Sequence, residues 1–520
     1  MYNEDQKFNT TRLPWILHLK ILKYLYSSKD DIICKQSSSW RVSLSLVCWK
    51  YHSFISKHFF NNLDLSLENE DLTEIISHIN SRYCIIKFVN NLKCSDQLLF
   101  NLFQMNPSFF DSMYSLDLQI TSPMNQDFIY LLITIFKSLY HFKYTITNNN
   151  STNNNILYNQ LVFDSLNKNK ELYSFKYQLN NIVVQPVQQD NNISNILSIS
   201  PCISFLKNHT NLTKIDIKQI QIDTEFHSFV ELLPSFKSLS KLVVSFKVNA
   251  ELVKNFFISL KTINLSSLVI EQGVGDNPVH LNALVAYLTG NTSLSHLSLP
   301  SEITDGSILN VLLTNSNESK CKIKKLKLSP LIFGNIEQNQ SVSLCLDKLS
   351  IRSIWSSYSF LDRLDPTRCD IKKIDMCSCF SNTSKSPTFL NQNTTVLTKD
   401  MIPYITANNK IRDLQFNYDP QFIEALKENS SINTITIQLI SNTSNELYNN
   451  INNIFTNIDR NQSIKSVQII VTQQQQSINN HQITLDPLKI QEIALVNGSS
   501  NQFKMISHDH RDKLFFQRHI

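Results

Sequence analysis

Glycine is scarce in this chain, 6 residues in 520. Loops that cradle phosphate need glycine for close backbone approach. The only close pair, Gly273-Val-Gly275, runs into Asp276-Asn-Pro278 with no Walker-type lysine. HExxH, GxSxG and the kinase motif set are missing too, so the chain is not expected to be an enzyme. Long apolar runs are also lacking. The longest, Phe128 to Phe136, is far too short to span a bilayer, and the start, Met1-Tyr-Asn-Glu-Asp-Gln-Lys7, has no apolar signal core. No charge sign dominates: the net charge of +5 is small for this length and does not point to general nucleic-acid binding. The expectation is an intracellular protein, cytoplasmic and/or nuclear, with no membrane partner.

The 10 cysteines form no framework and are expected to be reduced and mostly buried. The trio Cys369, Cys377 and Cys379 lacks zinc-site spacing, and no paired histidines follow it. No metal or cofactor is expected. Asn-x-Ser/Thr triplets arise by chance in an asparagine-rich chain, and His508-Asp-His510 reads as a solvated end.

What the chain does have is one pattern, apolar-x-x-apolar-x-apolar. The clearest copies are Leu212-Thr-Lys-Ile215-Asp-Ile217, Leu239-Ser-Lys-Leu242-Val-Val244, Leu265-Ser-Ser-Leu268-Val-Ile270 and Leu294-Ser-His-Leu297-Ser-Leu299. Further copies start at Ile323, Leu346, Ile371, Ile411, Ile432, Ile464 and Ile490, and weaker ones at Phe60, Tyr83, Met113, Leu139 and Leu172. The spacing is mostly about 21 to 33 residues, in the range of leucine-rich repeats. A recurring supersecondary unit implies a stacked solenoid, which presents binding surface.

One repeat shows the grammar. Leu281, Leu284, Val285 and Leu288 share a helical face. Gly290-Asn291 then stops the helix, since both tolerate the left-handed conformation. Leu294-x-x-Leu297-x-Leu299 follows as a strand whose alternating residues point one way. Phe226, Phe229, Val230 and Leu233 repeat the helical face before Leu239, and Leu447, Ile451, Ile454, Phe455 and Ile458 repeat it before Ile464. Asparagine takes the helix-stop position at Asn208, Asn429 and Asn461. The fold class is α/β: a solenoid over residues 60–500, with parallel strands on the concave face and helices on the convex face. Polar stretches near 148–155, 178–200, 380–398 and 472–484 read as loops or insertions, 1–10 as a polar tail and 501–520 as a C-terminal tail.

Residues 11–59 differ. Pro14 suits a helix start, and Leu17, Ile21 and Leu25 repeat at four-residue spacing. After a polar stretch, Leu44, Val47, Cys48, Tyr51 and Ile55 again fit helical spacing. Leu13-Pro14-x-x-Leu17-x-x-x-Ile21-x-x-Tyr24-Leu25, followed by Leu44-Ser-Leu46-Val47-Cys48-Trp49, resembles an F-box. Ile16 stands where that family usually has an acidic residue, and the tryptophan directly follows the cysteine. The resemblance implies a small all-α module docking on a Skp-type adaptor of a cullin-based ubiquitin ligase. Leu13, Pro14, Leu17, Ile21, Leu25, Leu46, Val47, Cys48 and Trp49 would form or support the adaptor face. With the repeats, which look like degenerate ribonuclease-inhibitor-type repeats, the chain resembles an F-box/leucine-rich-repeat substrate receptor. The alternative is a stand-alone interaction scaffold or inhibitor, with these helices only capping the solenoid.

In each strand the third motif position faces away from the core. From the copy at Leu212 to that at Ile371 it reads Lys214, Lys241, Ser267, His296, Lys325, Lys348 and Lys373. Lys327 and Arg352 widen this row, and Asp216 and Asp375 partly offset it. A basic ladder suits an acidic or phosphorylated segment of a partner protein. It lacks the interleaved aromatics on which single-strand binders stack bases, so no nucleic acid is expected.

Overall fold

The period-two alternation of the motif becomes burial in each strand. Strand β2 (Asn91–Ser95) buries Leu92 and Cys94, and the motif continues in β3 (Ser115–Ile120) and β4 (His141–Ile146). Then come β5 (Ser174–Leu179), β6 (Lys214–Ile220), β7 (Lys241–Phe246), β8 (Ser267–Ile270) and β9 (His296–Ser298). In this computed structural model the described residues are 62–65, 89–120, 135–146, 152–179, 198–274, 277–300, 323–328, 345–351, 370–375, 406–441, 444–458, 461–473, 503–509 and 513–518, with a few single residues between.

Among the described residues the strands build one 17-stranded sheet. Starting from β1 (Asn62–Asp64), each strand pairs parallel with the next through β9, β10 (Lys325–Leu328), β12 (Lys348–Ile351), β14 (Lys373–Asp375), β15 (Asp413–Asn417), β16 (Thr434–Ser441) and β17 (Ser466–Gln473). A side pair, β11 (Cys345–Leu346) and β13 (Asp370–Ile371), stands apart. Neighbours in sequence are neighbours in space, as in a solenoid. The fold is therefore mixed α/β and solenoid-like. No helix of the described residues is long and apolar enough to cross a membrane.

Between strands the apolar helical faces pack on the sheet. In α1 (Ala250–Leu260), Val253, Phe256, Phe257 and Leu260 are buried at i, i+3, i+4 and i+7, and Asn249 caps the start by accepting from Leu252 N. Helix α2 (Asp223–Leu232) and the 3-10 turn after it bury Phe226, Phe229, Val230 and Leu233. Helix α3 (Ser444–Ile458) buries Leu447, Ile451, Ile454, Phe455 and Ile458. The faces of α2 and α3 are those that the spacing predicts. The copies starting at Leu139 and Leu172 are full rungs whose apolar positions are aromatic: Phe142 meets Phe175 at 6.4 Å and Tyr144 meets Tyr177 at 5.9 Å.

The helix ends differ from expectation. Asn291, Asn208 and Asn429 have φ of −93°, −91° and −82°, so none is left-handed. The side chain does the stopping: Asn291 Oδ1 accepts from Ser293 N and Leu294 N. Asn429 does the same for Ser431 N and Ile432 N while its Nδ2 donates to the carbonyl of Asn408, one repeat earlier. Asn461 Nδ2 in turn donates to Asn429 O at 2.6 Å. Asn208 is exposed and is not the ladder residue. The next one, His209, is buried and takes that role.

The rung beside β1 uses the frame of Val89, Leu92 and Cys94, and the copy expected from Tyr83 lies outside the described residues. Further expectations are corrected. The polar tract near 148–155 is partly helical, in α4 (Thr152–Leu166). Ile490 is itself helical and buried, and the rest of its expected copy lies outside the described residues. Residues 501–520 are no tail: β18 (Phe503–Asp509) and β19 (Lys513–Arg518) form an antiparallel pair, and β19 closes the edge of β17. Phe516 there packs on Phe455 at 4.7 Å.

Candidate basic and aromatic face of the sheet

Strand register decides whether the third-position residues form a row. Ser174 lies opposite Lys214, Lys214 opposite Lys241, Lys241 opposite Ser267, and Ser267 opposite His296. His296 lies opposite Lys325, and Lys325 opposite Lys348. Leu349 pairs with Ile374, which puts Lys373 on the next rung, and Asp413 follows it. Six of the expected residues, Lys214, Lys241, His296, Lys325, Lys348 and Lys373, thus occupy one continuous row, with rungs about 4.8 Å apart. Lys327 stands one pleat further along β10. Arg352, and all nine adaptor residues from Leu13 to Trp49, lie outside the described residues, as do Cys369, Cys377 and Cys379.

The carboxylates are distributed differently from the expectation. Asp216 binds Lys176 at 2.7 Å, a lysine outside the row, and so does not neutralise Lys214 or Lys241. Asp375 binds Lys348 at 2.6 Å. Among the described residues, Lys241 and Lys325 have no ion-pair partner and both are exposed. Lys214 is exposed and without an ion-pair partner among the described residues too, so the unneutralised charge lies on Lys214, Lys241 and Lys325, with His296 between the last two. His296 is half-buried, with Nδ1 3.1 Å from Ser267 Oγ. Burial first, and then the neighbouring charges of Lys241, Lys325, Lys348 and Lys327, hold its pKa below the usual histidine value. An anion placed there would meet unneutralised cations.

The N-terminal end of the face carries residues that the sequence did not bring out. Tyr114, Tyr140 and Tyr173 occupy the second motif position on three successive rungs. The amides of Tyr140 and Tyr173 donate to the carbonyls of Tyr114 and Tyr140 respectively. Their exposures are 37%, 45% and 42%, which makes them three of the six large apolar side chains exposed among the described residues. His141 lies edge-on to two of them, 6.2 Å from Tyr114 and 5.8 Å from Tyr173. Lys214 Nζ sits 5.4 Å from the centre of the Tyr173 ring, which joins the aromatic strip to the lysine row. The row holds no interleaved aromatics among its described residues, but an aromatic strip adjoins its N-terminal end. A tyrosine directly after the first apolar residue in three consecutive copies was the signal available.

Beyond the aromatic strip the same backbone column continues as Thr213, Ser240, Ser266 and Ser295. Each donates its hydroxyl to the carbonyl one rung earlier, at 3.2, 3.1, 3.0 and 2.9 Å. These bonds fix the rim beside the row. Cys94 and Cys202 are buried, and burial pushes both thiols up, so neither serves as a nucleophile, while Cys345 is exposed.

No protein-family model matches this chain, and no curated protein matches its sequence.

Proposed function

We propose that this chain is the substrate-recognition subunit of a cullin-based ubiquitin ligase, built as an F-box-like module followed by a leucine-rich-repeat solenoid. The N-terminal helices dock on a Skp-type adaptor, and the lysine row binds an acidic or phosphorylated segment of a protein substrate. The chain itself performs no chemistry: it holds the substrate near the transfer machinery, and stacked rungs fix the distance. The observation that carries the binding half is the in-register row with Lys241 and Lys325 unneutralised. The adaptor half rests on the Leu13-Pro14 and Leu46-Val47-Cys48 resemblance.

The test is a pull-down of the purified chain with the Skp-type adaptor, beside a Leu13→Ala, Pro14→Ala double variant. Binding that the variant loses supports the receptor. A folded chain that does not bind the adaptor is a stand-alone scaffold or inhibitor instead. One observation favours that second reading: the C-terminal edge of the sheet is closed by the chain's own β18 and β19. Residues 11–59 directly precede β1 and can cap the opposite end in the same way.

A further inference from the structure

Tyr114 and Tyr173 stand two rungs apart, about 9.6 Å at the usual strand spacing. A polyproline II segment advances about 9.3 Å in three residues. The match continues along the face. Two rungs beyond Tyr173 lies Lys241, and two rungs beyond that His296, with Lys325 beside it. From these spacings we infer that the partner segment is an extended polyproline II stretch of the form Pro-x-x-Pro-x-x-Glu crossing the strands at right angles. Its prolines sit on Tyr114 and Tyr173, and its acidic residue lies at Lys241.

This rests on the acidic-segment reading of the lysine row and adds the anchor that gives it direction and sequence preference. Tyrosine rings suit proline because they offer flat apolar faces beside a polar hydroxyl, and such grooves recognise Pro-x-x-Pro elsewhere by the same chemistry. Of the two anchor rings Tyr114 is already held, since Asn91 Nδ2 donates to its hydroxyl at 3.1 Å; Tyr173 packs against His141 at 5.8 Å, and Tyr140 between them donates to Glu171 at 3.0 Å. Little side-chain freedom is then lost on binding. The face is sorted, aromatic at one end and cationic at the other, rather than interleaved. Glu171 beside Tyr140 repels a phosphodiester backbone. Both features favour a peptide with an apolar part and an acidic part over single-stranded nucleic acid.

The test uses the full chain and fluorescently labelled synthetic peptides in both chain directions. One carries Pro-x-x-Pro-x-x-Glu followed by further glutamates, one has both prolines replaced by alanine, and one keeps the prolines with glutamines for glutamates. The first is expected to bind about tenfold tighter than the second. A Tyr114→Ala, Tyr173→Ala variant should lose that preference while keeping its affinity for the alanine peptide, and Tyr173→Phe should retain it. Equal affinity for the first two peptides overturns the inference, as does a preference that survives in the alanine variant. Oligothymidylate that binds more tightly and is lost in the same variant overturns it in favour of nucleic acid. If no glutamate peptide binds, the lysine-row reading fails. Binding of the glutamine peptide, lost in the tyrosine variant, would then support the aromatic anchor alone.

Discussion

His209 Nε2 lies 2.6 Å from the backbone carbonyl of Asn169, a residue 40 positions earlier that is itself buried and bonded to the carbonyls of Phe136 and Leu139. At these rungs a side chain thus reaches back to satisfy the backbone of the repeat before it. Asn461, Asn429 and Asn408 form the same chain further on. These rungs are tied by hydrogen bonds where backbone groups would otherwise be buried without partners.

Asn429→Leu should therefore destabilise more than a surface change. Ser431 N, Ile432 N and the Asn408 carbonyl all lose a bond to this side chain. Each buried group left without a partner costs about 1–3 kcal/mol. A urea titration of the variant should show a lowered midpoint. Asn208→Leu should leave the midpoint nearly unchanged, because Asn208 is exposed and outside the ladder.

Acid should weaken the fold. Burial holds His209 below the usual histidine pKa even though the Phe205 and Asn169 carbonyls, one beside each ring nitrogen, oppose that shift by favouring the protonated ring. His280 is lowered by burial as well. A depressed value in the folded state means that the unfolded chain binds more protons. The stability is thus fully present above the ordinary histidine value of about 6.5 and is lost as the pH falls below it. Urea midpoints at pH 5.5 should lie below those at pH 7.5, and His209→Asn should narrow that gap. An acid midpoint that stays level would remove His209 as a buried neutral group.

Glu225 links two repeats and should be sensitive to loss of charge. Its carboxylate accepts from Ile199 N at 3.0 Å, Ser200 N at 3.1 Å and Ser200 Oγ at 2.7 Å, and also from the Ser198 hydroxyl. It caps a helix of the preceding repeat from a buried position. Glu225→Ala should cost about 1–3 kcal/mol by the same rule, and Glu225→Gln, which keeps one acceptor oxygen, should cost less. Thermal melts of the two variants give the order directly.

Among the described residues, Gly273 is the one glycine whose backbone demands its lack of a side chain. Its φ is +105°, and an added Cβ would stand 2.1 Å from the Phe246 carbonyl oxygen. Gly273→Ala should lower the melting temperature, through a backbone strain of order 1–3 kcal/mol and displacement of Phe246 from its packing with Phe226 at 4.6 Å. An unchanged melt would mean that the turn before residue 278 readjusts freely.

Charge reversal should separate binding from folding. Replacing Lys325, Lys348 and Lys373 by glutamate should abolish capture of an acidic segment, and the wild-type interaction should weaken as salt rises. Reversing Lys176 and Asp216 together, which swaps a paired charge, should leave capture largely intact. Capture unchanged by the triple reversal would place the binding surface elsewhere.

The rungs were legible in the sequence because three apolar positions at fixed offsets suffice to define them, and the lysine row followed once the offsets were aligned. Just before residue 89 an apolar run offers a second alignment, and the rung beside β1 ends in Cys94 rather than a leucine. The asparagine position was visible, but not its mechanism, since a left-handed backbone and a side-chain acceptor leave the same letter. The tyrosine strip stayed hidden because tyrosine counts as apolar in a periodicity argument. Only register shows that three of them share one exposed column. The C-terminal hairpin was missed because antiparallel strands break the repeat that defined every other strand.

That hairpin also bears on how such a stack ends. A parallel rung offers the same edge to whatever follows, so a stack of them has no intrinsic end. Strand β19 meets β17 with reversed polarity, and its outer edge is taken by β18, not by another repeat. A further parallel rung therefore cannot take the stretch of β17 that β19 holds in the way that β17 itself takes β16.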